Sequence, residues 1–386
     1  MCQSKANGGK RCTETNGSNY PHILRGDEKT KLITLTGDIA ARPELFLHAA
    51  LASARTGYPL SPQLAEAIKA HAAEVKTITP EQSWEQWKGI ANAPTPSAAL
   101  KAIYESGLEE QYPELAAIRG VEQSPFWHPE GSVEKHTAEA ADVAARNAAA
   151  ANLSEEETTI VVLGALCHDF GKSVSTHKDE DGKINSHGHE HTGRPIAKRF
   201  LRSIGADAET VKQVGTIVKA HMHHTQPVQR STARKLVKLL EEGGTTLKLW
   251  GHVAEADTGG RGTASTSGIS KQWNAAWDDV VAHDAIPKKG IIHGGVLSEM
   301  GLKSGLQFAI IVKAAKEAQE NGEFTELDGA KAWVNEYIAS GVLDNLVAQE
   351  EERKRVKKEE LIALTKAKVA AEKKALQEAK LKEGKE

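Results

Sequence analysis

A chain of 386 residues, 39% hydrophobic but only 5% aromatic, has room for two or three modest domains and favours helices over strands. The formal charge of −3 does not announce a nucleic-acid binder; no apolar stretch approaches the ~20 residues of a membrane span, and the polar start Met1-Cys2-Gln3-Ser4-Lys5 is no signal peptide. Three scattered cysteines, Cys2, Cys12 and Cys167, fit a reducing cytoplasm without a disulfide framework, and Cys2 and Cys12 lack the second pair that a zinc site would need.

Residues 1–37, rich in Gly, Asn, Ser and Thr, read as an irregular arm in which Leu32–Thr36 is at most a short strand. A helical pattern over Pro43–Ala73 follows, with turns at Thr56-Gly57 and Ser61-Pro62, then helices at Pro80–Ala91 and Ser97–Ser106 with Gly107 at the C-cap. These make a small helical domain over 38–114. Ser132 is placed to N-cap a helix carrying Val133, His136, Ala140 and Val143. Ser154 and Glu157 form a capping box before an apolar helix, Ile160 to Leu166, that ends at His168-Asp169. A polar loop over 173–187 turns at Asp181-Gly182. Helices are expected near Glu190–Ile204, Ala208–Met222, Thr232–Glu242, Leu247–Asp257 and Lys271–Ala282, closing a domain over 115–285. A helical segment over 286–345 holds helices at Leu306–Asn321 and Leu327–Ala339. In the remaining 346–386, residues 351–386 carry 12 Lys or Arg against 8 Asp or Glu, which reads as a solvated helix or a disordered tail.

The chemistry lies in polar residues on apolar faces. His136 shares a face with Ala140 and Val143, His221 with Val214 and Val218, and Asp257 with Trp250, Val253 and Ala254. His168-Asp169 come from a fourth helix end, and His189 starts a fifth helix. A lone inward histidine is usually a satisfied core residue, because a buried imidazole or carboxylate is costly unless bonded or ligated. Several of them entering from successive helices point instead to a site for a divalent ion, with Mn, Ni, Co, Mg, Fe and Zn all compatible. Among the 16 histidines, His189 and His221 are favoured over His187, His191, His223 and His224 by their helical register; His283 and His293 are expected to be structural or exposed.

The order His136, His168-Asp169, Asp257 resembles the signature of HD-domain phosphohydrolases. Glu114–Val121, Trp127-His128-Pro129-Glu130-Gly131-Ser132, His136-Thr137, Leu166–Lys172, Gly188-His189-Glu190, Asp257 and Gly260-Arg261-Gly262 together resemble the HD region of bacterial CCA-adding tRNA nucleotidyltransferases. Ala54–Tyr58 and Pro96–Gly107 resemble that family's neck and body, and Met300–Gly305 through Glu323 its tail. The resemblance implies an all-α protein: a multi-helix metal-binding HD bundle preceded by a helical neck/body-like domain. The family's head, with its Gly-Ser turn and paired aspartates, has no counterpart in the roughly 40 residues before the neck. Ala41-Arg42-Pro43-Glu44-Leu45 replaces its base-reading motif. CCA addition is therefore not expected.

What remains implies a metal-dependent phosphohydrolase acting on nucleotide or RNA-end phosphoesters such as 2′,3′-cyclic or 2′- or 3′-phosphates, with tRNA a possible partner. One ion would sit on His136, His168, Asp169 and Asp257, lowering the pKa of water and polarising a phosphoryl oxygen. His189 and His221 would hold a second ion or donate a proton to the leaving oxygen. Lys172 would meet a phosphate oxygen or serve as a helix-end charge, with Arg194 and Arg261 as further substrate contacts. Two other readings stand beside this one: an RNA-binding module with little catalysis, and a free-nucleotide triphosphohydrolase.

Overall fold

The computed structural model describes residues 2–5, 9–12, 24–35, 39, 42–262, 268–282 and 290–359. The architecture is all-α: helices form both compact units, and the described strands make only short two-stranded hairpins. One unit runs to Val281 and the other from Ala282. No described helix is long and apolar enough to cross a membrane. The 263–267 break, the 285/286 boundary, His283 and the tail beyond 359 lie outside the described residues.

The first unit is built on the helix Glu155–Cys167. It opens with the expected capping box, Ser154 with Glu157, and three acidic residues in its first turn, where the helix dipole favours them. From Thr159 to Cys167 every residue is buried, so this helix has no solvent face and must run through the middle of its neighbours. It packs on Val133–Ala150, Leu247–Gly259 and Ala208–Ala220. Gly164 makes the approach possible, because a Cβ there would meet Val253 Cγ2 at 3.0 Å and Ile217 Cγ2 at 3.4 Å. His168 and Asp169 are thereby delivered to the centre of the unit.

The segments over 38–114 and 115–285 share one hydrophobic core, running from Ile33 to Ala256. Trp87 of helix Pro80–Ala91 meets Phe200 of helix His189–Ser203 edge-on at 5.3 Å, and Phe200 meets Phe170 at 5.4 Å. Each such pair is worth roughly 0.5–1.5 kcal/mol beyond burial, and Phe170 directly follows Asp169. Polar ties reinforce the seam: Asn92 Nδ2 donates to Thr159 Oγ1 at 2.8 Å, and Ser97 N to Asp142 Oδ1 at 2.8 Å.

Three local expectations need correction. The N-terminal arm is not wholly irregular: Cys2–Lys5 pairs antiparallel with Gly9–Cys12, and Leu24–Asp27 with Leu32–Leu35. Ile33 is fully buried and its backbone bonds Pro59 and Ser61, which anchors the second hairpin. Ser132 occupies the N-cap position but its side chain makes no cap hydrogen bond; its carbonyl accepts from His136 N at 3.0 Å, the first bond of the helix. The polar loop contains a short helix, Lys172–Ser175, and a hairpin of His177–Lys178 with Ile184–Asn185.

The second unit has its own small core of Ile292, Leu297, Ile311, Ala315, Ala330 and Val334, carried by helices Gly294–Glu299, Leu306–Asn321 and Leu327–Ala339. Residues 342–359 are helical and mostly exposed.

Gly171 is where the fold meets the site. A Cβ there would lie 2.0 Å from the His189 carbonyl oxygen and 2.6 Å from Gly193 N, both backbone atoms that cannot move independently of their helix. Gly171→Ala is therefore expected to lower the urea midpoint by the equivalent of about 1–3 kcal/mol, as overpacking does. An unchanged midpoint would show that the His189 helix is not seated this closely.

Candidate metal centre

Six buried side chains converge from five helices. His136 comes from the first turn of Val133–Ala150, Asp257 from the last turn of Leu247–Gly259, and His168-Asp169 from the end of Glu155–Cys167. His189 opens its helix after Gly188, and His221 stands where helix Ala208–Ala220 tightens into a 3-10 turn. Trp250 Nε1 donates to the Ala220 carbonyl at 3.0 Å at that transition.

Asp169 divides the six into two sets. Its Oδ2 lies 3.3 Å from His168 Nε2 and 3.7 Å from His136 Nε2, and His136 Nε2 is 3.2 Å from Asp257 Oδ1. Its Oδ1 lies 3.2 Å from His189 Nε2 and 3.9 Å from His221 Nε2. His136–His168–Asp257 and Asp169–His189–His221 each bring three donor atoms within 4.8 Å of one another.

The imidazoles are tethered from behind. His168 Nδ1 donates to the Ala165 carbonyl at 2.7 Å, His189 Nδ1 to Ser186 at 2.8 Å and His221 Nδ1 to Val218 at 2.6 Å. His136 Nδ1 faces Glu130 Oε1 at 2.6 Å. A carbonyl can only accept, so the proton sits on Nδ1 and a neutral ring turns a bare Nε2 inward. Bare nitrogens then face each other at 3.2 Å (His136–His168) and 3.0 Å (His189–His221), which is repulsive unless a cation or a proton lies between. Asp169 Oδ2 is buried, with the Lys172 ammonium 2.7 Å away and His168 Nε2 at 3.3 Å. Facing bare imidazole nitrogens and mixed nitrogen/oxygen ligands fit divalent metal ions.

Of the charged residues singled out in the sequence, Lys172 and Arg261 reach this centre. Lys172 is buried, with Nζ 2.7 Å from Asp169 Oδ2 and donating to Gln123 Oε1 at 2.6 Å and His128 Nε2 at 3.3 Å. Arg261 Nη2 donates to Asp257 Oδ1 at 3.0 Å. Arg194 stands away from the cluster: five residues past His189, it is rotated about 140° around the helix. His187 and His191 are exposed, as is His293.

Sequence reasoning missed four side chains here. His224 Nε2 lies 3.5 Å from Asp257 Oδ2, and the signal was available: in a 3-10 turn, residues i and i+3 eclipse, so His224 follows His221 inward. Glu130 Oε1, which backs His136, is also 2.8 Å from His128 Nδ1. Gln123, His128 and Glu130 sit on a loop with no periodicity to expose them.

Burial alone would raise both carboxyls, but the charges of His168 and Lys172 hold Asp169 well below its ordinary range, and His136 and Arg261 do the same for Asp257. Burial disfavours a charged His136, yet Asp257 and Glu130 outweigh it and push that ring up to about 9. Glu130 is held down at about 2 against its burial by His136 and His128.

Comparison with known proteins fits this constellation. A family profile described as HD domain matches residues 133–242, which include five of the six converging side chains. Residues 133–242 are an HD domain. HD domains belong to a superfamily of metal-dependent phosphohydrolases. Around this one, the chain is 31% identical over 153 residues to the multifunctional CCA protein of Halorhodospira halophila, covering 39% of this chain and 34% of the relative. It is 30% identical over 189 residues to that of Hahella chejuensis, covering 48% and 42%. The chain thus spans less than half the length of these relatives. A solved CCA-adding enzyme with ATP matches with a TM-score of 0.41 at 10% identity, over 81% of this chain and 63% of that one.

Two outcomes follow for the HD centre. Because a proton on His136 competes with an ion up to about pH 9, metal affinity measured by calorimetry should rise between pH 6 and 9, by up to about ten-fold per unit, and level off above. A flat profile would mean that His136 is not a ligand. Glu130→Gln should weaken metal binding about 10- to 100-fold, since it removes the carboxylate that backs His136; unchanged affinity would contradict that arrangement.

Proposed function

We propose that this chain is a metal-dependent phosphohydrolase acting on nucleotide or RNA-end phosphoesters, such as 2′,3′-cyclic phosphates and 2′- or 3′-phosphates. The observation that carries the reading is the buried Asp169 carboxylate, with one oxygen toward His136, His168 and Asp257 and the other toward His189 and His221. His136, His168, Asp257 and Asp169 would hold one divalent ion, and Asp169, His189 and His221 a second. Such ions supply Lewis acidity toward a phosphoryl oxygen and lower the pKa of water. The family resemblance supports the choice of RNA-end esters, and the free, buried Cys167 is at home in a reducing cytoplasm.

The remaining roles follow from contacts. Lys172, held by Asp169, Gln123 and His128, exchanges a neutral partner for a phosphoryl oxygen while keeping Asp169 charged. Arg261 fixes Asp257 as an anion aimed at His136. His189 acts as a ligand, because its Nδ1 is committed to Ser186 and its Nε2 faces Asp169 and His221.

A second activity, RNA binding, is favoured by one surface. Arg194, Lys198 and Arg202 recur every four residues on helix His189–Ser203, and the Lys198 stem lies over Gly215 of the adjacent helix. Burial and the like charges of Arg194, Arg202 and Lys212 lower the Lys198 pKa, the signature of a cationic strip suited to a phosphate backbone.

Mn- or Ni-loaded protein should hydrolyse bis(p-nitrophenyl) phosphate or a 2′,3′-cyclic nucleotide, and Asp169→Ala should reduce turnover to background. Equal turnover by the variant would remove the site from the reaction. A gel shift with tRNA should weaken steeply with salt, and Lys198→Gln with Arg202→Gln should flatten the log–log slope by roughly 1.5–2. An unchanged slope would exclude the strip.

A further inference from the structure

Phe126 and Trp127 are 80% and 61% exposed, and their rings meet edge-on at 4.7 Å. The loop that carries them is nevertheless pinned. Gln123 Nε2 donates to the Gly131 carbonyl at 3.2 Å, and the N–H groups of Trp127 and His128 both return to the Ser124 carbonyl. Gln123, His128 and Glu130 turn inward and reach Lys172 and His136. A loop fixed on both sides of the two rings thus holds them in water at the edge of the HD centre.

Val174, 67% exposed, lies two residues beyond Lys172. Phe126, Val174 and Trp127 are the three most exposed large apolar side chains among the described residues. They stand on the two segments that the Lys172 bonds to Gln123 and His128 join. The neighbouring sequence is polar: Glu122 and Ser124 precede the rings, and Glu122 pairs with Lys178 of the Val174 segment at 4.0 Å. The contiguous apolar area is the ring pair itself, two rings wide. That is the size of one flat heterocycle rather than of a protein interface or a membrane face, which needs a contiguous patch of several hundred Å².

We propose that Phe126 and Trp127 form a stacking platform for the nucleobase of the substrate, at the mouth of the centre that receives its phosphoester. The choice of a nucleotide substrate rests on the function proposed above. Stacking needs only a π face, and the rings carry no hydrogen-bonding pair that selects one base. The platform accepts all four bases and discriminates nucleotides from base-free phosphoesters.

The test compares adenosine 2′,3′-cyclic phosphate with glycerol 1,2-cyclic phosphate on the metal-loaded full chain. Trp127→Ala should lower kcat/KM on the nucleotide roughly ten-fold or more, chiefly through KM, with a loss several-fold smaller on the base-free ester. Trp127→Phe should recover most of the difference. Equal losses on both esters, or none on either, would overturn the platform. Calorimetric titration with adenosine 2′-monophosphate keeps this separate from catalysis. Weaker binding by Trp127→Ala supports the platform even if neither ester is hydrolysed, a result that would sink only the hydrolytic reading. Equal affinity, or no binding by the unaltered protein, overturns it. So does a change in the Trp127-dependent emission, taken as the difference between the unaltered protein and Trp127→Phe, with anionic vesicles or on self-association while the nucleotide leaves it unchanged.

Discussion

A carboxylate buried to within 1% of its surface is the constraint on which this protein is arranged. Asp169 is held in its charged form by His168 and Lys172, with His189 Nε2 3.2 Å from its other oxygen. Removing such a group from water costs several kcal/mol, and the cost is met only when cations or hydrogen bonds surround it. The fold brings that surrounding from five helices of the first unit.

The same packing makes the site stiff. Phe170, next in sequence, is locked edge-on against Phe200, which is locked against Trp87 from the neck-like segment. Gly171 then lets the chain pass against the backbone of His189 and Gly193. Small displacements of the His189–Ser203 helix are blocked by contacts far from the ligands. The single core that runs through both segments therefore fixes donor positions, as preorganised sites require.

Much of this was legible in the chain because periodicity carries it. The capping box at Ser154 and Glu157, the helices Pro80–Ala91, Leu306–Asn321 and Leu327–Ala339, and the inward register of His136, His221 and Asp257 all follow from 3.6-residue spacing. What escaped does not obey that period. His224 turns inward through a 3-10 step, and Gln123, His128 and Glu130 work from an irregular loop. Lys172 was expected at a phosphate or at a helix end; its contact with Asp169 is an i,i+3 pair within one helical turn, a local spacing that the sequence already carries. The Leu24–Leu35 hairpin was hidden by a polar composition in which only Ile33 is fully buried.

The central claim is that the side chains around Asp169 would hold two ions, one on the side of His136, His168 and Asp257 and one on the side of His189 and His221. Anomalous diffraction from crystals equilibrated with Mn tests it directly. Two peaks are predicted, one beside His136, His168 and Asp257 and the other beside His189 and His221. A single peak that leaves His189 and His221 unligated, or no peak at all, would contradict the account.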